Sequence, residues 1–439
     1  MSRRIRSITD VAERQLCTGC GACAFVQPDV IRMVDDLDAG RRPVVDAVDG
    51  REPSTAAALA ACPGVGLRQT GLPAEHLEEL GGAWGPVLEV WEGVAADDEL
   101  RHAASSGGLA SALALHMIER RGAHGVLHIR ARPDAPLLNE TVLSRTREQL
   151  LAAAGSRYAP ASPCDRLDLI EEGPVPSVFI GKPCDVAAVA RLREQRPALD
   201  ERLGLTVAVF CAGTPTTRGT LEMLRSMGVE DPSQVESVRY RGNGWPGDAE
   251  VVVRTPEGRR THRLTYEQSW GEVLERHRQW RCYVCVDHTG EFADIAVGDP
   301  WYRELGEGDP GRSLILVRTE RGREVLHEAM AAGTVRAELV GPSTLPASQP
   351  GLLRVRGAVW GRVTTSRLVG IPAPRFEGMP TFGVWWRELT LREKLRSTLG
   401  LLRRIRRRGL RRRRKVHPWD PGSPSPDSTI PASAQRRGA

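Results

Sequence analysis

Cys17, Cys20 and Cys23 stand at three-residue intervals in CTGCGAC, within a chain of 439 residues that holds nine cysteines. Zinc knuckles usually supply their thiolates in pairs. Three thiolates in one tight turn instead suit three irons of a cubane cluster. Thr18, Gly19, Gly21 and Ala22 between them are small, so the backbone can wrap a cluster and turn its N–H groups toward sulfur. The fourth ligand is missing locally. Cys62, followed by Pro63, supplies the Cys-Pro that closes such runs, 39 residues after Cys23. We therefore read these four as ligands of a [4Fe–4S] cluster, with zinc as the competing metal.

Five cysteines remain: Cys164, Cys184, Cys211, Cys282 and Cys285. Cys282 and Cys285 form a C-x2-C pair, a weak motif alone. Cys184 follows the apolar run VFIGKP and Cys211 follows TVAVF. Both fall at the carboxyl ends of expected parallel strands, where open α/β sheets place their sites. Together the four make a candidate second thiolate set, against the alternative of inert core thiols, and Cys164 in PASPCDRLD is the spare. SSGGLAS (105–111) places two glycines ahead of a helix start, a geometry that suits a phosphate but that a plain N-cap explains equally well. It does not match G-x-G-x-x-G, so a dinucleotide fingerprint is absent. The ten histidines are scattered, and no acid/base constellation stands out. His288, three residues beyond Cys285, is placed to support a cluster ligand.

The elements that must position these residues alternate. Strands are expected over VLEVWEGV, GVLHIR (125–130), VPSVFIG (175–181), GLTVAVF (204–210), ADIAVG (293–298) and SLILVR (313–318). Helices are expected over 105–122, capped by Ser105 or Ser106 and closed by Gly122, and near 185–196, 216–227 and 320–332. RTPEGRR (254–260) reads as a hairpin turn. The order implies an α/β core, with a mixed sheet and flanking helices, preceded by a small, loop-rich iron–sulfur segment. We divide the chain at 1–75, 85–170, 171–345, 346–386, 387–415 and 416–439. The hydrophobic share of 41% and the charged share of 26% are those of a globular protein. No run of 18 apolar residues and no secretory h-region is present, so a cytoplasmic, thiol-reducing location is expected.

In order along the chain, GSRYAPASPCDRL, VFIGKPCDVAAVARL, FCAGTP, RYRGNGWPG and CYVCVDHTGEFADIAVGDPW resemble the coenzyme F-420 hydrogenase/dehydrogenase β-subunit family. The resemblance covers roughly residues 10 to 340. It implies an iron–sulfur flavoprotein with two [4Fe–4S] clusters, the first in a ferredoxin-like segment, the second held by Cys184, Cys211, Cys282 and Cys285. It further implies FAD held by Ser106, Gly107, Gly108, Ser156, Arg157 and Tyr158, with Arg241, Asn243 and Trp245 lining the same pocket. For the glycine-rich loop, the alternative is a tight turn with a packed Trp. Lys182 stands where many relatives carry a small residue or Thr. The implied activity is electron transfer between clusters and a hydride carrier, coenzyme F-420, or an organic substrate, through FAD. The alternatives are a reductase of an organic or glycan-related substrate fed by a ferredoxin-like partner, an electron-relay subunit without chemistry of its own, and a zinc-stabilised RNA-binding protein.

From Arg387 onward the chain holds 16 Lys or Arg against four Asp or Glu, a charge of +12, so the preceding residues carry −6. Residues 387–415 set Leu389, Leu395, Leu399, Leu402 and Ile405 among arginines. We read this as a basic amphipathic helix suited to an anionic membrane surface at the inner face ahead of nucleic acid, followed by a disordered Pro/Ser-rich tail.

Overall fold

The computed structural model describes residues 4–71, 73–304 and 309–421. Its centre is an eight-stranded sheet. In chain order its strands are β1 Glu89–Ala95, β2 Val126–Ala131, β3 Asn139–Ser144, β4 Ser177–Gly181, β5 Leu203–Val209, β6 Ile295–Gly298, β7 Ser313–Val317 and β8 Val335–Leu339. Their spatial order is β8-β1-β7-β6-β5-β4-β2-β3. The four inner strands β2, β4, β5 and β6 run parallel, and the outer pairings are antiparallel. Strands from 85–170 and from 171–345 thus share one mixed sheet. Successive side chains go to opposite faces, so Phe179, Ala208 and Ala296 enter one core while Val178, Val207 and Ile295 enter the other. Burial on both faces is why these strands read as continuous apolar runs.

Helices Leu109–Arg121, Pro183–Arg193, Thr217–Ser226 and Glu320–Ala331 flank the sheet or its edges. The first differs from expectation at its start. Gly108 is the N-cap at φ 76°, because the Ser106 hydroxyl is already donated to the Arg312 carbonyl at 2.6 Å. Gly122 closes the helix at φ 67°, a left-handed position that glycine fills without strain. The second helix begins earlier than expected, at Pro183, because proline suits the first helical position and the Asp185 carboxylate accepts the Lys182 N–H at 3.2 Å.

The first 70 residues hold more structure than a loop-rich reading allows. Helices Ile8–Glu13, Ala22–Val26 and Ala56–Ala61 surround the hairpin Ile31–Asp36/Gly40–Val45. Ile8, Val11, Leu16 and Ile31 form a small core with Cys17, Cys23 and Cys62. A three-stranded antiparallel sheet, Val235–Arg239, Ala249–Thr255 and Gly258–Leu264, lies apart from the main one.

The arginine-rich segment corrects the single amphipathic helix. It forms Leu391–Ser397 and Leu399–Arg407, broken at Thr398 where φ is −102° and ψ −82°. Nor is it a free tail: Leu401, Ile405 and Leu410 are buried among Trp280, Val284, Val359 and Val363. Arg413 pairs with Glu13 at 2.9 Å and with Asp10, and Arg414 pairs with Asp36 at 2.9 Å. Residues 416–421 continue along the N-terminal hairpin, with Trp419 N donating to Asp35 O at 2.8 Å. The remainder of the expected disordered tail, 422–439, lies outside the described residues. No helix among the described residues is long and apolar enough to cross a membrane.

Candidate redox centre

Cys17, Cys20, Cys23 and Cys62 are all buried, and Cys17, Cys23 and Cys62 each feel the charge of others in the set. Gly19 and Gly21 make the turn possible at φ 78° and 91°. Burial first, then neighbouring thiols, pushes Cys62 up to about 12 and holds Cys17 and Cys23 above their ordinary value. Against this, backbone N–H groups face the sulfurs. Gly19 N lies 3.3 Å from Cys17 Sγ, and Ala22, Ala24, Gly64 and Val65 favour the thiolates of Cys20, Cys23 and Cys62. Four mutually repelling thiolates in an apolar pocket, each offered a fixed N–H, are a donor set that fits a cationic cluster.

The second set assembles where the parallel strands end. Cys184 opens the helix after β4, Cys211 follows β5, and Cys282 and Cys285 lie in and just after the short helix Trp280–Tyr283. Cys184, Cys211 and Cys285 each sense others of the four; burial first and then this repulsion raise Cys211 to about 12. In Cys285 the Arg281 charge opposes burial, which still lifts it to about 11. Thr214 N donates to Cys282 Sγ at 3.3 Å, and the Gly213 N–H favours the Cys211 thiolate. His288 ties the two cysteine loops together: Nδ1 lies 2.8 Å from Cys211 O and Nε2 3.1 Å from Cys285 O. Among the described residues, no three His, Cys, Asp or Glu side chains converge on one point as a single metal ion requires. A cubane binds each thiolate through a different iron and asks for no such convergence.

Cys164, the spare thiol of the sequence, sits between the sets. It is fully buried, its N–H donates to Cys20 O at 2.9 Å, and its thiol lies 3.5 Å from Asp185 O. Its side-chain bond to Cys20 is the largest influence on Cys20 and lowers that thiol. Lys182 holds Asp185 at 2.6 Å and its charge reaches Cys17, Cys164, Cys184 and Cys211. Burial alone would depress Lys182, but Asp185 and the thiols outweigh it and keep the ammonium charged.

Beside this second set lies a cavity of about 340 Å³, lined from the carboxyl ends of β4, β5 and β6 and by the start of helix Leu109–Arg121. Cys211 and Lys182 are in its wall. Ser106, Gly108, Ser156, Arg157, Tyr158 and Arg241 line it as well. Gly107 lies just behind the wall, its N–H given to Ser313 Oγ at 3.0 Å. Asn243 is exposed at φ 58°, and Trp245 is buried with its indole N–H on Asp299 at 2.8 Å. The Arg157 guanidinium is committed to the protein, donating to Asn139 Oδ1 and Pro136 O at 2.7 Å each.

The sequence reading overlooked Asp299, Tyr266, Trp270 and Trp301. Asp299 takes both arms of the buried Arg241 guanidinium at 2.7 and 2.8 Å. Tyr266 and Trp301 stack at 5.3 Å, and Arg241 lies over both rings. Asp299 and Trp301 stand in GDPW, a stretch already singled out, whereas Tyr266 and Trp270 carry no local signal. The wall is flat and aromatic on one side and cationic behind it, a surface suited to a planar heteroaromatic ring.

Fold and comparisons together define an electron-transfer protein of oxidoreductase type. Family models for the N-terminal and C-terminal parts of the coenzyme F-420 hydrogenase/dehydrogenase β subunit match residues 90–167 and 177–342, in that order. The chain belongs to this family. It is 24% identical over 243 residues to the coenzyme F-420 hydrogenase β subunit of Methanosarcina barkeri, covering 54% of this chain and 77% of that one. It is 26% identical over 226 residues to the chloroplastic 7-hydroxymethyl chlorophyll a reductase of Oryza sativa, covering 50% of this chain and 45% of that one. A chain in the xenon-derivatised F-420-reducing [NiFe] hydrogenase complex of Methanosarcina barkeri aligns with a TM-score of 0.49 at 21% identity, over 64% of this chain and 94% of that one.

Proposed function

We propose that the chain is an FAD- and iron–sulfur-dependent oxidoreductase, passing electrons between two [4Fe–4S] clusters and a hydride acceptor or donor, with coenzyme F-420 as the favoured carrier. The observation that carries this reading is Cys211, which belongs both to the second thiol set and to the wall of the cavity. When bound, FAD would exchange an electron pair as hydride while the clusters take electrons singly. The chain's own residues do the rest. The N–H groups opening helix Leu109–Arg121 receive a phosphate, the Tyr266–Trp301 wall holds a planar ring, and Lys182 sets a cation in the cavity wall whose charge reaches Cys184 and Cys211. Cys17, Cys20, Cys23 and Cys62 would hold one cluster and Cys184, Cys211, Cys282 and Cys285 the other.

Anaerobically purified and reconstituted protein is expected to be brown, to carry about eight irons per chain, and to release FAD on denaturation. A colourless, zinc-loaded product overturns the reading. The same sample should oxidise reduced F-420 with an artificial acceptor. The rice relative, a reductase of an organic molecule by its name, supports a second reading in which a ferredoxin-like donor feeds reduction of an organic substrate. Loaded protein that ignores F-420 but is reduced by ferredoxin selects that reading.

For the C-terminal segment we propose peripheral attachment to anionic membrane. What supports it is an outward ridge of Trp386, Leu391, Leu395, Leu399 and Leu402, exposed among arginines.

A further inference from the structure

Away from the redox cavity, six arginines line a second hollow of about 180 Å³: Arg42, Arg218, Arg276, Arg278, Arg408 and Arg414. They come from three parts of the chain. Arg42 is on the N-terminal hairpin, Arg218, Arg276 and Arg278 are on the main body, and Arg408 and Arg414 are on the C-terminal segment. The carboxylate in the lining is Asp38, already shared by Arg218 at 3.2 Å and Arg414 at 3.7 Å. Arg278 is paired outside the hollow, with Glu275 at 2.6 Å. Among the described residues, no carboxylate pairs with Arg42, Arg276 or Arg408.

Such convergence costs free energy, because like charges in a partly enclosed space repel more strongly than in open water. His277, in the same lining, is lowered by burial first, with Arg218 and Arg408 adding to it against Glu222 and Asp38. A second observation is independent of the charge count. Arg42 is only 3% exposed and gives one arm to Gln279 Oε1 at 2.9 Å and another to Arg41 O at 2.7 Å. Among the described residues its Nε has no hydrogen-bond partner. A buried guanidinium N–H left unpaired, in a wall where Arg276 and Arg408 also have no carboxylate partner among the described residues, awaits an acceptor.

The hollow also limits the occupant's size. Its volume is that of about six waters in the liquid, enough to seat one or two phosphoryl groups. Guanidinium forks match phosphate oxygens in pairs, which a monovalent halide cannot exploit. We propose that this hollow binds a phosphate-type oxyanion, free phosphate or pyrophosphate or the phosphoryl end of a small molecule. The bound anion fastens the C-terminal arginines to the N-terminal module and the body. Binding is then linked to docking of that segment, since Arg408 and Arg414 complete the site only when it is in place.

The test is calorimetry of the reconstituted full-length protein at low ionic strength in chloride buffer, with inorganic phosphate, pyrophosphate and citrate as probes. Arg276→Ala is the chosen variant, because Arg276 is exposed and its side chain forms no ion pair among the described residues. Saturable pyrophosphate binding is expected, weakened about tenfold in Arg276→Ala by the loss of one charge-assisted contact. Pyrophosphate should also shield the bonds after Arg408 to Arg414 from trypsin, and less so in the variant. Binding by pyrophosphate but not phosphate marks a diphosphoryl site; binding by both marks a single phosphoryl site. No saturable heat and no protection overturns the proposal, as does equal affinity in Arg276→Ala. Citrate binding as tightly as pyrophosphate overturns the phosphate assignment.

Discussion

Arg241 and Asp299 form a buried ion pair in the cavity wall. Their side chains keep 4% and 15% of their exposure and face each other through two hydrogen bonds. A buried pair adds little net stability, but removing one partner strands the other, at about 3–5 kcal/mol. Arg241→Met should therefore lower the unfolding midpoint markedly and lose bound flavin. Adding Asp299→Asn should restore part of the stability, because the orphaned charge is gone, without restoring the flavin. Urea unfolding of the three variants, with flavin released per chain, checks this. A single variant as stable as the parent would show that the pair does not organise the wall. Neither partner could have been paired from sequence. Arg241 stood out in its glycine-rich loop, but Asp299 lies 58 positions on, and the loop and strand end meet only in the folded sheet.

Gly21 shows how tightly the elements constrain the first thiol set. It sits at φ 91°, and an added Cβ would stand 2.7 Å from Asp165 N and 3.0 Å from Ser162 Cβ. Those residues belong to the segment that holds the N-terminal module on the sheet, where Ser162 Oγ donates to Gly19 O at 2.7 Å. Gly21→Ala should therefore cost about 1–2 kcal/mol in backbone strain and about 1–3 more in overpacking. It should also deplete iron from the first set, leaving about four per chain. Gly50→Ala is the control: φ is 72° but no atom lies within 4 Å, so only the backbone cost applies. Equal iron in both variants would remove the docking argument. The strand ends that carry Cys184 and Cys211 were legible because strands buried on both faces leave unbroken apolar runs. The N-terminal helices were not, since Ile8–Glu13, Ala22–Val26 and Ala56–Ala61 are too short for helical periodicity to declare itself. The role of Cys164 was illegible too, because its neighbours Cys20 and Asp185 are brought to it by two separate elements.

At the scale of the whole molecule, the basic segment has two faces with different duties. The inward face buries Leu401, Ile405 and Leu410, each about 1.5–3 kcal/mol when fully buried, and ties Arg413 and Arg414 to acidic residues near the other end of the chain. Charge composition could reveal the cations but not Asp10, Glu13 and Asp36 as their partners, some 400 positions away. Removing 387–439 should therefore lower the melting temperature, expose Trp280 and Val284, and loosen the N-terminal module. The outward face keeps Leu395 and Leu399 in solvent, 49% and 64% exposed, and can be changed without touching that packing. Leu395→Ser with Leu399→Ser should leave the melting temperature where it is. If the ridge attaches to membrane, the parent co-sediments with anionic vesicles and not neutral ones, and the double variant stays in the supernatant. Truncation that leaves stability unchanged would refute the docked segment. Sedimentation indifferent to lipid charge, or to the two serines, would refute the ridge.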